Sequence, residues 1–174
     1  MKKGRPDGPP GPWVLLAAWG PFGYSPWAPG TAGTLGALPL FWALRQLPQG
    51  AYLAATAVLL AVAVVAAGKA GTYWKVADAS PIVIDEVVGY LVTMAFFPWS
   101  WGTALAGFAL FRLMDVMKPW PASAFDRMKS GFGVVMDDVA AGVWAALALA
   151  GVRLALRAGL GCDGPSWWCA GLPP

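Results

Sequence analysis

Apolar blocks of helical length alternate with short polar interruptions along this chain. The clearest block, "AYLAATAVLLAVAVVAAG" (51–68), is uncharged throughout and approaches the roughly 20 residues that a bilayer core requires. Before it, "GALPLFWALRQL" predicts a short helix ending near Arg45 and Gln46, with "PQG" as a tight turn into the span. After it comes a polar loop, "KAGTYWKVADASP". The next apolar block runs from Ile82 to Phe111 and is broken by "FPWSWG". Proline, serine, glycine and two tryptophans mark an interfacial turn, because tryptophan favours the headgroup level. The block then divides into two helices of about sixteen residues each, short but workable in a thin or tilted arrangement. A single kinked span is the alternative. A second polar loop, "MKPWPASAFDRMKSGFG", leads to a last span near 134–156.

Composition decides what kind of protein holds these helices. Hydrophobic residues make up 58% of 174 and charged residues 12%, against roughly a quarter charged in soluble domains. Mean hydropathy is +0.58. A single domain of this size has too much surface per volume to hide that much apolar area, so the expectation is an all-α integral membrane bundle. It divides into an N-terminal arm (1–12), a membrane domain (13–158) and a turn-rich tail (159–174) expected to be poorly ordered. "MKKGRPDGPPGPWVLLAAWG" superficially resembles a signal peptide. Its apolar stretch is only about seven residues and lacks a good cleavage site, so it reads as a retained cytoplasmic arm or an interfacial piece.

Charge orients the bundle. Lys69 and Lys75 fall in one loop, and Arg112, Lys118, Arg127 and Lys129 lie in or beside the other. The positive-inside rule makes both loops cytoplasmic, together with the lysine-rich N-terminus. Five membrane-associated helices result. The net charge of +3 is small and dispersed, which argues against a nucleic-acid partner. The chain contains no histidine, which removes every histidine base, nucleophile or metal ligand. Cys162 and Cys169 both lie in the tail, as a disulfide or as two idle thiols, and neither reads as catalytic. Nothing in the sequence sets an oligomeric state.

Nine acidic residues remain to be placed, and five of them cluster. They are Asp85 and Glu86 in "IVIDEVVG", Asp115 in "FRLMDVMKPWP", and Asp137 and Asp138 in "VVMDDVAAG". Each cluster is embedded in apolar sequence at a helix end on the cytoplasmic side. Helix capping accounts for Asp85 and Asp137. It does not suit Asp115, near a helix C-terminus, and it leaves the paired acids repelling one another. Gly89 and Gly142 each follow an aspartate by four residues, which opens a notch on the carboxylate's own face where another helix can approach. A shared divalent-cation site is the reading preferred over scattered capping. Asp85, Glu86, Asp137 and Asp138 are its candidate ligands. With oxygen donors only, the ion is Mg²⁺, with Mn²⁺ as a substitute.

The stretch "SPWAPGTAGTLG" (25–36) lies on the same side and leads into a helix. Its glycines free backbone N–H groups, and Ser25, Thr31 and Thr34 supply hydroxyls, which suits a phosphate cradle. The same composition alone would mean only a turn. Beside a carboxylate–metal cluster, with Arg112 and Lys118 for charge neutralisation, it becomes half of a phosphoryl-transfer site.

"SPWAPGTAGTLGALPL", "PIVIDEVVGY", "FRLMDVMKPWP" and "GFGVVMDDVAAGV", in this order and spacing, resemble the phosphatidylglycerophosphatase A family. The similarity runs from about Trp13 to Gly151. It implies a bacterial, multi-pass inner-membrane enzyme whose site faces the cytoplasm. The implied reaction is Mg²⁺-dependent removal of the terminal phosphate of phosphatidylglycerophosphate, giving phosphatidylglycerol. The resemblance supports Asp85, Glu86, Asp115, Asp137 and Asp138 as the acidic catalytic set, with Arg112, Lys118 and Pro119 beside it. It also brings in Pro29, Gly30, Thr31, Gly33 and Thr34. Attack by water with an aspartate as general base is preferred to attack by an aspartate itself.

Two other readings stand beside this one. A CDP-alcohol phosphatidyltransferase also uses a membrane carboxylate–Mg²⁺ site, but its run of aspartates with "DG…AR…G…D…D" spacing is absent. A small cation-coupled transporter would hold its acids near the membrane midplane, whereas these gather at one surface. The predicted topology has a direct test in a background lacking Cys162 and Cys169. Single cysteines at Ser80 and Ser130 should react only with reagents that reach the cytoplasm, and one at Ser100 only from outside. Opposite sides for Ser80 and Ser130 would separate the acids and end the shared-site reading.

Overall fold

The computed structural model describes residues 8–160, with side chains to 156. Cys162, Cys169 and the rest of the tail lie outside the described residues, as do the first seven residues of the N-terminal arm. Among the described residues the structure is helical, without strands. The elements are α1 (Pro12–Ala17), a 3₁₀ turn (Phe22–Tyr24), α2 (Pro29–Leu44), α3 (Gln49–Trp74), α4 (Ile84–Thr93), α5 (Trp101–Met117), α6 (Ala122–Asp126) and α7 (Gly131–Leu160).

The five expected helices correspond to α2, α3, α4, α5 and α7, with several corrected boundaries. α2 begins at Pro29, so most of the supposed phosphate loop is helix. Pro29 occupies the first turn, where its fixed φ is already helical. Gly33 sits against Val83 and Gly36 against the Phe22 ring, and this close packing overrides the low helix propensity of glycine. α3 runs to Trp74 and takes in half of the first polar loop. α4 has only 10 residues and α5 has 17, where two of about sixteen were expected from the length a thin bilayer needs. The "FPWSWG" break is real: the chain leaves α4 at Thr93, and Ser100 caps α5 by accepting from Thr103 N–H at 3.1 Å. The second polar loop contains α6, and α7 starts three residues earlier than expected.

Among the described residues, α3 and α7 are the two helices long and apolar enough to cross a membrane. Each offers 26 residues, and only 28% of its most apolar window is buried inside the protein. A soluble core helix would hide that window; here most of it faces outward.

The central layer is α4 between α2, α3, α5 and α7, and its interface with α7 is the most extensive in the fold. One core cluster joins Phe41, Tyr52, Tyr90, Phe111 and Leu149 from all five long helices. The Phe41 ring meets the Tyr90 ring edge-on at 5.9 Å between centroids. Each buried tyrosine satisfies its hydroxyl on a neighbouring backbone: Tyr52 donates to Leu91 O at 2.7 Å and Tyr90 to Ala104 O at 3.0 Å. A second cluster lines α3 with Ala63, Ala66, Ala67 and Ala70, whose small side chains admit α1, α4 and α7. α1 is tied in by Val83 N–H donating to Ala17 O at 2.9 Å.

α4 approaches α7 closely. A Cβ on Gly89 would lie 2.8 Å from the Asp138 carbonyl oxygen, and one on Gly142 would strike the Gly89 carbonyl. Thr93 spans the same crossing, donating to Gly89 O at 3.0 Å and lying 3.3 Å from Gly142 O. Gly142→Val should therefore destabilise the bundle by about 1–3 kcal/mol, the usual range for overpacking, with a shift of roughly 2–4 °C for each kcal/mol. Gly151→Val, in the same helix with open space around it, should melt like wild type. Equal midpoints for the two variants in detergent would show that the crossing tolerates a side chain.

Candidate active site

The N-termini of α2, α4 and α7 converge with the C-terminus of α5 at one end of the bundle, and the acidic residues meet there. Asp85 and Glu86 occupy the first turn of α4, where the helix dipole favours carboxylates. Asp85 Oδ1 accepts from Glu86 N–H at 3.1 Å. Asp138 lies two turns into α7, and the glycine crossing brings its backbone against α4. One oxygen from each of Asp85, Glu86 and Asp138 lies within 4.8 Å of the others. Asp85 and Asp138 are buried, at 6% and 4% exposure.

Three carboxylates this close together, two buried and one partly buried, repel unless a cation or protons intervene. Glu86 Oε2 and Asp138 Oδ2 are buried without any hydrogen-bond partner in the protein. Orphaned buried acceptors of this kind normally mark a missing partner. An all-oxygen donor set with unsatisfied lone pairs fits a hard divalent cation.

Arg112, on the last turns of α5, brings the nearest positive charge. Its Nη1 lies 2.7 Å from Asp115 Oδ2 and 3.6 Å from Glu86 Oε1. The contact with Asp115 is close but poorly aligned, so Nη1 has no hydrogen-bond acceptor despite its burial. The Asp115 carboxyl also faces Asp138, which joins the third acidic motif to the other two. Gly30, in the first turn of α2, completes this wall. A Cβ there would collide with Glu86 Oε1 and come within 3.1 Å of Arg112 Nη1.

Some predicted residues are placed elsewhere. Asp137 lies outside the three-acid group: its Oδ2 accepts from Lys118 Nζ at 2.5 Å, and its Oδ1 from Asp138 N–H at 3.0 Å. Thr34 is fully buried, and its hydroxyl donates to Gly30 O at 2.9 Å. Ser25 Oγ donates to Trp27 O at 2.9 Å. Gly33 packs on Val83, and Thr31 is half-buried in the same first turn of α2. "APGTAGT" is thus the start of a helix closed against the carboxylates, not an open loop. Pro119 O accepts from Ala122 N–H at 2.8 Å in the turn that leads into α6.

Asp126 is the residue that the sequence reading left in a polar loop. α6 carries it onto Lys118, whose ammonium donates to both Asp126 and Asp137. No spacing rule flags it, because the contact depends on how the α5–α6 turn folds. Burial pulls the Lys118 pKa down, but hydrogen bonds to the two carboxylates outweigh this and leave it above the ordinary lysine value. The Lys118 hydrogen bond holds the Asp126 carboxyl below the usual range. Asp126's contribution to stability is thus present above its unfolded pKa and lost as pH falls through the depressed folded one. The contribution of Lys118 is present at neutral pH and lost only as pH climbs through its raised pKa.

Fold and site together define an all-helical protein with a polyacidic, histidine-free centre where helix ends converge. The family model described as Phosphatidylglycerophosphatase A matches residues 15–153. The chain belongs to that family. It is 37% identical over 136 residues to Phosphatidylglycerophosphatase A of Escherichia coli, covering 76% of this chain and 78% of that one. The Haemophilus influenzae protein of the same name is 36% identical over 129 residues, covering 72% and 79%. A Bacteroides thetaiotaomicron protein, named as a candidate phosphatidylinositol-3-phosphatase, is 39% identical over 149 residues, covering 80% and 92%. These phosphatidylglycerophosphatases are by name phosphoric monoester hydrolases. No solved structure gives a significant match.

The contact between α2 and the carboxylates generates a prediction. Gly30→Ala should displace Glu86 and lower turnover about tenfold or more, equivalent to at least ~1.4 kcal/mol in the barrier. Thr34→Val should keep most activity, since its hydroxyl serves the Gly30 carbonyl. Initial rates and melting midpoints for both variants check this, and a wild-type rate for Gly30→Ala would place α2 outside the site.

Proposed function

We propose that this protein hydrolyses the terminal phosphomonoester of phosphatidylglycerophosphate, releasing phosphatidylglycerol and inorganic phosphate. Family membership supports the reaction. The observation that carries the site is the convergence of Asp85, Glu86 and Asp138, with two orphaned oxygens, beside Arg112. These three carboxylates would hold Mg²⁺, or Mn²⁺ in its place. When bound, the ion supplies a Lewis acid for the phosphoryl oxygens and lowers the pKa of water.

The chain's own groups do the rest. Arg112 Nη1, lacking an aligned acceptor, directs its N–H to a phosphoryl oxygen and balances charge in the transition state. Asp115 holds the guanidinium in place from the same helix. Lys118 adds a second positive charge. A water oxygen attacks phosphorus as the bond to the glycerol oxygen breaks, and a carboxylate of the set takes the water proton and returns it to the departing glycerol oxygen. Gly30 keeps the α2 helix start close to Glu86 and Arg112, so its N-terminal dipole faces the dianionic phosphate.

The lipid substrate places the site at a membrane surface. α3 and α7 cross the bilayer, α2, α4 and α5 pack between them as shorter membrane-associated helices, and the site end faces the cytoplasm. The outward-facing apolar windows of α3 and α7 support this, together with Lys69, Lys75, Arg127 and Lys129 near the site end. The setting is the inner membrane of a bacterium. The Bacteroides relative's name suggests a second headgroup, since an inositol phosphomonoester presents the same group to the same carboxylates.

Phosphate release from phosphatidylglycerophosphate in detergent micelles tests the proposal. Release should require added Mg²⁺ or Mn²⁺, and phosphatidylinositol-3-phosphate should turn over more slowly. Asp138→Asn should abolish most activity or raise sharply the Mg²⁺ concentration needed for half-maximal rate. Asp137→Asn should lower the rate without moving that requirement, because Asp137 serves Lys118. Full turnover in chelator would remove the metal from the site.

A further inference from the structure

Lys118 stands at the left-handed C-cap of α5, at φ 45°, and its ammonium contacts carboxylates on two other elements. Asp126 is the last residue of α6, and Asp137 lies in α7. Neither belongs to the group Asp85, Glu86 and Asp138 that gathers around a common point. A lysine ammonium is a point charge on a flexible four-carbon stem, so one acceptor leaves it free to swing. Two acceptors on separate elements hold it in place.

The two acceptors differ in how they are themselves held. Asp137 has 8% of its side chain exposed and is fixed at both oxygens, one by Lys118 and one by the Asp138 N–H. Asp126 has 42% of its side chain exposed and sits on a helix of five residues. That short helix packs on α7, and the chain leading into it is tied to α7 as well: Trp144 Nε1 donates to Trp120 O at 3.0 Å. An exposed ion pair with no other partner would add little. This one is shared with a buried carboxylate adjacent in sequence to Asp138, and so reaches the acidic centre.

We propose that Asp126 is a positioning residue of the phosphatase site, holding the Lys118 ammonium between α6 and α7 where it faces the phosphoryl group. The proposal rests on the reading that the phosphomonoester binds at Asp85, Glu86 and Asp138. Asp126 acts through Lys118 and does not touch substrate. Its role is to hold the positive charge beside the centre, shared with Asp137, instead of letting it turn to solvent.

A double-mutant cycle separates this role from simple bracing of the fold. Asp126→Asn retains shape and removes the charge. Its kcat for Mg²⁺-dependent phosphate release should fall about tenfold, with KM within twofold and the melting midpoint in detergent nearly unchanged. Asp126→Glu should recover most of the rate. Lys118→Met should lose as much as Asp126→Asn or more, and adding Asp126→Asn to Lys118→Met should have no further effect. A wild-type kcat for Asp126→Asn overturns the proposal. So does an equal further loss in the Lys118→Met background, or a loss that follows a lowered melting midpoint. A wild-type protein that releases no phosphate under any divalent ion overturns the functional reading and this proposal together, whereas an active wild type with an unaffected Asp126→Asn overturns only the latter.

Discussion

The crossing of α4 over α7 at Gly89 and Gly142 is the contact on which the site depends. A backbone-to-backbone approach is possible only where both helices lack side chains on the facing surface. It sets the distance between Asp85 and Glu86 on one helix and Asp138 on the other, since each aspartate lies one turn before its glycine. A Cβ at either position would push the helices apart and spread the carboxylates. Thr93 reinforces the approach with a hydroxyl placed between the Gly89 and Gly142 carbonyls. Packing and chemistry are therefore one constraint at this place.

Buried carboxylates in an apolar bundle also create a problem of charge. The fold answers it unevenly. Arg112 lies between Glu86 and Asp115, and Lys118 lies between Asp126 and Asp137, so one carboxylate of each acidic motif has a cation beside it. Glu86 Oε2 and Asp138 Oδ2, by contrast, are buried without any hydrogen-bond partner in the protein. The deficit is concentrated at one point. Such a cluster is costly to fold without compensation, and the same arrangement leaves Arg112 Nη1 without a hydrogen-bond acceptor.

The helix starts explain why the site is at this end. N-termini of α2, α4 and α7 carry partial positive charge and unsatisfied N–H groups, which favour acids on the protein and phosphate on the ligand alike. α5 arrives from the other direction and contributes its arginine on the final turns, where a cation is favoured. An up-and-down bundle with short connections necessarily alternates these polarities. The glycine-rich start of α2 fits the scheme as a helix end that can lie against Glu86, a role different from that of an open phosphate loop.

How much of this could be read from the residues follows from the range of each interaction. Apolar blocks set the five long helices, the break at "FPWSWG" and the total absence of histidine chemistry, because hydropathy and composition are local properties. The aspartate–glycine spacing of four was also legible, since helical periodicity alone puts the notch on the carboxylate's face. Helix ends were less so: α2 absorbed the glycine-rich stretch because tertiary packing on Val83 and Phe22 outweighed propensity. The pairing of Asp137 with Lys118, rather than with its neighbour's cluster, turned on which way one carboxylate points after two helices dock. Asp126 was invisible for the same reason. Its contact with Lys118 crosses a turn and a short helix, and no periodicity links them. Sequence by itself determined which groups were present and which faces they occupied; only the tertiary structure decided their partners, because a partner is fixed by where separate helices come to rest.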